Sequence, residues 1–121
     1  MTVIPFRAEL RQMGRVTTID LHGEMNSNAQ AGLAAAYEQA QRSDPEVIAL
    51  NFSPVGYINS TGIALIVDLL ARTRQAHRRL VAFGLSDHYR EIFQITRLAD
   101  FITIYPDEVA AMAELTGRVK A

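Results

Sequence analysis

The sequence predicts an α/β fold in which one mixed β-sheet, opened by a β-hairpin, carries about four α-helices. Three observations point there. Two short alternating runs flank Met13-Gly14, which is the pattern of a hairpin. The runs at residues 47–52 and 80–84 are almost wholly apolar, as in strands covered on both faces. Helical patterns separate the strands, and strands joined by helical crossovers lie parallel.

The elements follow in order. Residues 6–11 and 16–22 form the hairpin, and Gly23-Glu24 ends its second strand. Over residues 28–42, Ala29, Leu33, Ala36, Tyr37 and Ala40 recur at helical spacing, with Asn26, Ser27 and Asn28 as caps and Asp44-Pro45 as the stop. Strand 47–52 leads into a loop over 53–59, then a helix from 60 to about 76 that turns Ile63, Ile66, Val67 and Leu70 to the sheet. The cations Arg72, Arg74, His77, Arg78 and Arg79 close that helix, where they complement its dipole and take a solvated structural role. After strand 80–84, Ser86-Asp87 caps a helix carrying Tyr89, Ile92 and Phe93, and residues 102–105 form a last short strand. Pro106-Asp107-Glu108 opens the final helix, whose expected inner stripe is Val109, Met112, Ala113 and Thr116.

A chain of 121 residues without linker, repeat or charge block is expected to be a single domain over residues 1–121. Twelve Lys and Arg against thirteen Asp and Glu leave a net charge of -1, so nothing draws a polyanion and nucleic acid is not an expected partner. The absence of cysteine removes thiolate catalysis and Cys-ligated zinc, and it fits a reducing, cytoplasmic setting. The first residues lack the basic start and long apolar run of a signal peptide. The longest uncharged stretch in the most apolar region, 53–67, contains Pro54, Gly56, Asn59 and Gly62, so no membrane insertion is expected.

Catalytic patterns fail one by one. The G-x-S-x-G elbow is missing because position 58 is Ile and Gly56 comes one residue too early. A phosphate-binding P-loop would need Lys where Ile63 follows Gly62. His22, His77 and His88 are scattered without metal-ligand spacing, and Asp107-Glu108 is first-turn helix charge. No enzyme activity, metal or cofactor is expected.

Attention therefore falls on Asn59-Ser60-Thr61-Gly62, where a loop beyond the carboxyl end of a buried strand turns into a helix. A phosphate on Ser60 would face free helix N–H groups and the positive end of the dipole, and would add roughly 1.5 to 2 negative charges at one surface spot. Gly62, lacking a side chain, allows another backbone to approach closely, either a partner's or one within the domain. On the helix, Leu65 and Leu69 lie nearly opposite the inner stripe with Arg72. Gly62, Leu65, Leu69 and Arg72 are thus expected to form part of a surface for a partner or a second copy of the chain, which leaves a homodimer open, unless a neighbouring helix covers them.

The run from Leu50 to Leu65, with Asn59-Ser60-Thr61-Gly62 at its centre, resembles the signature of STAS domains, specifically the anti-sigma factor antagonists. Leu21-His22-Gly23-Glu24-Met25, Leu80-Val81-Ala82-Phe83-Gly84-Leu85-Ser86 and Leu98-Ala99-Asp100-Phe101-Ile102-Thr103-Ile104-Tyr105 extend the resemblance over nearly the whole chain. The resemblance implies a protein that binds an anti-sigma factor with serine kinase activity, is released by phosphorylation at Ser60, and is reset by a serine phosphatase. Asn59, Thr61 and Gly62 would shape the phosphosite. One departure is Asn59, where the family usually has Asp: the capping oxygen is kept and the carboxylate lost. That moves weight toward the alternative the resemblance allows, a non-phosphorylated scaffold or a subunit of a larger regulatory or lipid-transport assembly.

Overall fold

In the computed structural model, which describes residues 4–117, the opening hairpin joins β1 (Arg7–Met13) antiparallel to β2 (Val16–Met25). Gly14 turns it at φ +59°, the backbone that a two-residue type II′ loop takes from glycine. The second strand does not stop at Gly23 as expected. It passes through Gly23 at φ +84° and runs on to Met25, because a Cβ at this position would sit 2.2 Å from the Pro5 carbonyl oxygen and only glycine fits.

A single 3-10 turn, capped by the Asn26 side chain accepting from the Asn28 amide at 2.9 Å, leads into α1 (Gln30–Gln41). Then follow β3 (Val47–Asn51), β4 (Val55–Ile58), α2 (Ser60–Gln75), β5 (Arg79–Phe83), α3 (Asp87–Ile95), β6 (Thr103–Tyr105) and α4 (Glu108–Gly117). The sheet runs β1-β2-β3-β5-β6, with every pair parallel except the hairpin. β4 corrects the expected loop over 53–59: it pairs parallel with the far end of β2, from Gly23↔Val55 to Met25↔Ile58.

Residue alternation explains why β5 reads as unbroken apolar sequence. Leu80 and Ala82 pack with Leu33, Tyr37, Ile66, Leu70 and Phe93 under α1, α2 and α3. Val81 and Phe83 pack on the other face with Ala111 and Leu115 of α4. The inner stripe of α4 is therefore not the expected one, and Val109 stands 79% exposed. Val109, Ala110, Ala111, Met112 and Ala113 make this helix apolar around much of its girth, so its phase is chosen by the sheet and not by the sequence.

A charged clasp fastens the start of α4 to the edge of the sheet. The Arg11 guanidinium donates to both carboxylate oxygens of Asp20 (2.7 and 2.8 Å) and both of Glu108 (2.7 and 3.1 Å), and the Asn51 amide adds a bond to Asp20 at 2.8 Å. Burial alone would push the Asp20 carboxyl up, but the bonds from Arg11 and Asn51 outweigh it and hold the group below its ordinary value. Stability from ionised Asp20 is thus present above the unfolded carboxylate value and lost as pH falls through the lower folded one. Because Arg11 is nearly half exposed, Arg11→Ala is expected to cost about 1 kcal/mol at neutral pH, with the gap closing in acid as pH falls through the lowered Asp20 value. Urea unfolding at neutral and acid pH measures it, and a gap that ignores acid would remove the clasp.

Candidate functional site

The site is built outward from the end of β3. The Ser53 amide donates to the Asn51 side-chain oxygen at 3.0 Å and the Val55 amide to the Phe52 carbonyl at 2.9 Å, a turn that swings the chain off β3 and across to β2. At the far end of β4 the Ile58 amide donates to the Tyr89 hydroxyl at 2.9 Å, and the Asn59 amide donates to the Met25 carbonyl at 3.1 Å. Two neighbouring elements, α3 and β2, therefore hold the residues immediately before Ser60.

Asn59 caps α2 with extended backbone. Its side-chain oxygen accepts from the Gly62 amide at 2.9 Å and its carbonyl from the Ile63 amide at 3.0 Å. The amides of Ser60 and Thr61 precede the first residues that an α-helix can satisfy internally. Both side chains are exposed, so the Ser60 hydroxyl lies on the surface at the positive end of a sixteen-residue helix. A phosphate there would meet unengaged N–H groups without any rearrangement of the cap.

Gly62 and Leu69 depart from the expected partner surface. Gly62 is buried, and a Cβ on it would lie 2.2 Å from the Met25 carbonyl oxygen and 2.9 Å from the Ile58 side chain, so the close approach is to β2 of the same chain. Leu69 is only 3% exposed. Together with the partly buried Leu65 it borders a small recess beside Leu33 and Tyr37 of α1, the neighbouring helix that covers both leucines. Arg72 is exposed and pairs with Asp68 one turn earlier at 3.5 Å. Conversely, Val67 was expected against the sheet and is 46% exposed. The outward stripe of α2 is Ser60, Ala64, Val67, Ala71 and Arg74, and the Arg74 guanidinium stacks 5.3 Å from the ring centroid of Phe101, itself 55% exposed. The largely apolar run over residues 62–71, broken only by Asp68, hid this stripe, and exposed Phe101 has no periodic signal at all.

Arg78 and Arg79 depart from the expected solvated role at the end of α2. Arg78, its side chain only 10% exposed, donates to the Asp44 carboxylate (2.9 Å) and the Pro45 carbonyl (2.7 Å). Arg79, the first residue of β5, donates to the Thr103 hydroxyl at 3.0 Å, because the chain has already left the helix and these groups tie the strand starts together. His22 lies 3.0 Å from a Glu9 carboxylate oxygen and His88 stacks on Tyr89. Among the described residues no cluster of three or more His, Asp or Glu could hold a metal ion, and no helix is long and apolar enough to cross a membrane.

The anti-sigma-B factor antagonist of Listeria monocytogenes is 34% identical over 82 residues, 68% of this chain and 72% of that protein. An anti-sigma factor antagonist from Mycobacterium paratuberculosis superimposes with a TM-score of 0.77 at 15% identity, covering 90% of this chain and 92% of that one. The Bacillus cell fate determinant SpoIIAA in its phosphorylated form gives 0.66 at 21% identity, covering 93% and 98%. At these identities the two structures speak for the fold. The family model described as STAS domain matches residues 7–111, from the first residue of β1 into α4, and the chain belongs to the STAS domain family.

Proposed function

We propose that this chain is an anti-sigma factor antagonist of the bacterial cytoplasm: it binds an anti-sigma factor with serine kinase activity at the Ser60 end of α2, and phosphorylation of Ser60 releases that partner. The observation that carries the reading is the exposed Ser60 hydroxyl on the first residue of α2, backed by a cap that already functions. The Listeria relative is named an antagonist of this kind, and SpoIIAA, which shares the fold, is described in a phosphorylated form. Docking follows the outward stripe, with Ser60, Ala64, Val67 and Ala71 beneath the partner and Arg74 with Phe101 at its far end. Arg72 lies at the rim, and Thr61 flanks the hydroxyl. In the switching step the Ser60 oxygen attacks the γ-phosphorus of ATP, ADP leaves, and the hydroxyl proton passes to a base of the kinase. A serine phosphatase returns the chain to its binding form.

Incubation with the cognate kinase and labelled ATP tests the assignment. Label is expected on the parent and none on Ser60→Ala; a Ser60→Ala protein labelled as strongly as the parent ends it. One observation favours a second reading, a constitutive scaffold or assembly subunit: neutral Asn59 completes the cap without the carboxylate usual in the family. In that case Ser60 only begins a helix, and the same stripe holds a permanent partner.

A further inference from the structure

The two open edges of the sheet are unlike each other. β6, at one end, is three residues long, and a very short edge strand offers little to pair with. β1, at the other, runs for seven residues in unbroken register with β2; it carries the charges of Arg7, Glu9 and Arg11 but contains no Lys, Pro or bulge, further devices by which exposed edges are commonly protected. We infer that two copies of this chain join edge to edge through β1, antiparallel about a two-fold axis at Leu10, so that the two sheets become one.

Three independent features select this register. The two-residue turn closes on Met13 and Val16, so residues 7, 9, 11 and 13 direct their backbone N–H and C=O groups to β2, and by alternation Ala8, Leu10 and Gln12 direct theirs outward. A self-pairing that places Leu10 opposite Leu10 sets Ala8 opposite Gln12, so every outward group meets another outward group. It also overlaps the whole of Arg7–Met13 with itself, from Arg7 opposite Met13 inward. Finally, it sets Glu9 opposite Arg11 of the second copy, twice. Sliding one copy by two residues instead sets Glu9 against Glu9 or Arg11 against Arg11, and like charges directly opposite are unfavourable. Glu9 is well exposed, with Arg7 at 3.7 Å and His22 at 3.0 Å as its partners on its own chain, while the clasp holds Arg11 in position.

A cleft receives the central side chain. On the α1 side of the edge, Leu10, Gln12, Gln39, Ala40 and Ser43 border an open hollow of about 420 Å3, into which Leu10 of the second copy would project. Backbone bonds supply the attachment and this hollow the register, as in other strand additions. The contact is on the opposite side of β2 from β3 and is independent of what Ser60 does.

The chain has no cysteine, which makes a register test clean. In a hydrogen-bonded antiparallel pair the two Cα atoms are about 5.5 Å apart, within disulfide reach. Leu10→Cys is therefore expected to form a covalent dimer under mild oxidation. Gln12→Cys, whose two thiols would be on the order of 14 Å apart, is not. The parent is expected to sediment as a dimer. Gln12→Pro removes an outward donor but no bond to β2, and should raise the dimer dissociation constant at least about tenfold with an unchanged circular dichroism spectrum. A parent that stays monomeric up to millimolar concentration, or equal crosslinking at positions 10 and 12, overturns the inference, and neither reading depends on whether Gln12→Pro folds.

Discussion

The Gly62→Ala protein is expected to melt roughly 8 °C or more below the parent, with a loss of about 2 kcal/mol or more by urea denaturation. Helix propensity alone argues the other way, since alanine is favoured over glycine by about 1 kcal/mol. The contact decides the sign. The added methyl would stand 2.2 Å from the Met25 carbonyl oxygen, a backbone atom that cannot swing aside. That same oxygen accepts the Asn59 amide, so moving it weakens the bond that seats the cap, worth about 1 kcal/mol, on top of the 1–3 kcal/mol usual for overpacking. Gly56→Ala is the control: nothing lies within 4 Å of its added methyl, and a change beyond about 0.5 kcal/mol is not expected. If the two variants proved equally stable, the helix start would not rest on β2 and the placement of Ser60 would lose its support.

The same pair of elements shows what could be read from the sequence and what could not. The capping role of Asn59, the helix start at Ser60 and the exposure of its hydroxyl were legible because they depend on four adjacent residues. The buried runs of β3 and β5 were legible for the same local reason. β4 was not: its four residues follow Pro54 and include Gly56, which read as turn chemistry, and its partner is the end of β2 some thirty residues earlier. Nor was the phase of α2. Ile63, Ile66, Val67 and Leu70 form one helical stripe, while Gly62, Ile66, Leu69, Leu70 and Thr73 form another of equal quality. Only the packing of α1 beside Leu65 and Leu69 chooses between them, and periodicity within one helix carries no information about its neighbour. Hence the exposed serine at the start of α2 could be read from the sequence, whereas the stripe of that helix that faces outward could not.

The Ser60→Asp protein is expected to bind the proposed anti-sigma factor partner about a hundredfold or more weakly than the parent, while Ser60→Ala stays within a few-fold. A carboxylate in the docking face must be desolvated or opposed by the partner, and an unmatched charge at an interface costs several kcal/mol, of which each 1.4 is tenfold in affinity. The folded chain feels the opposite effect. At the first residue of α2 a negative charge meets the positive end of the helix dipole, so thermal stability should rise slightly, by about 0.3–1 kcal/mol. Stability up with affinity down is a combination that a merely damaged protein cannot show. Asp carries one charge where phosphate carries up to two, so protein phosphorylated at Ser60 is expected to bind still more weakly, and calorimetry with all four forms ranks them. Should Ser60→Asp bind as tightly as the parent, the surface is occupied regardless of charge, and the constitutive scaffold takes the place of the switch.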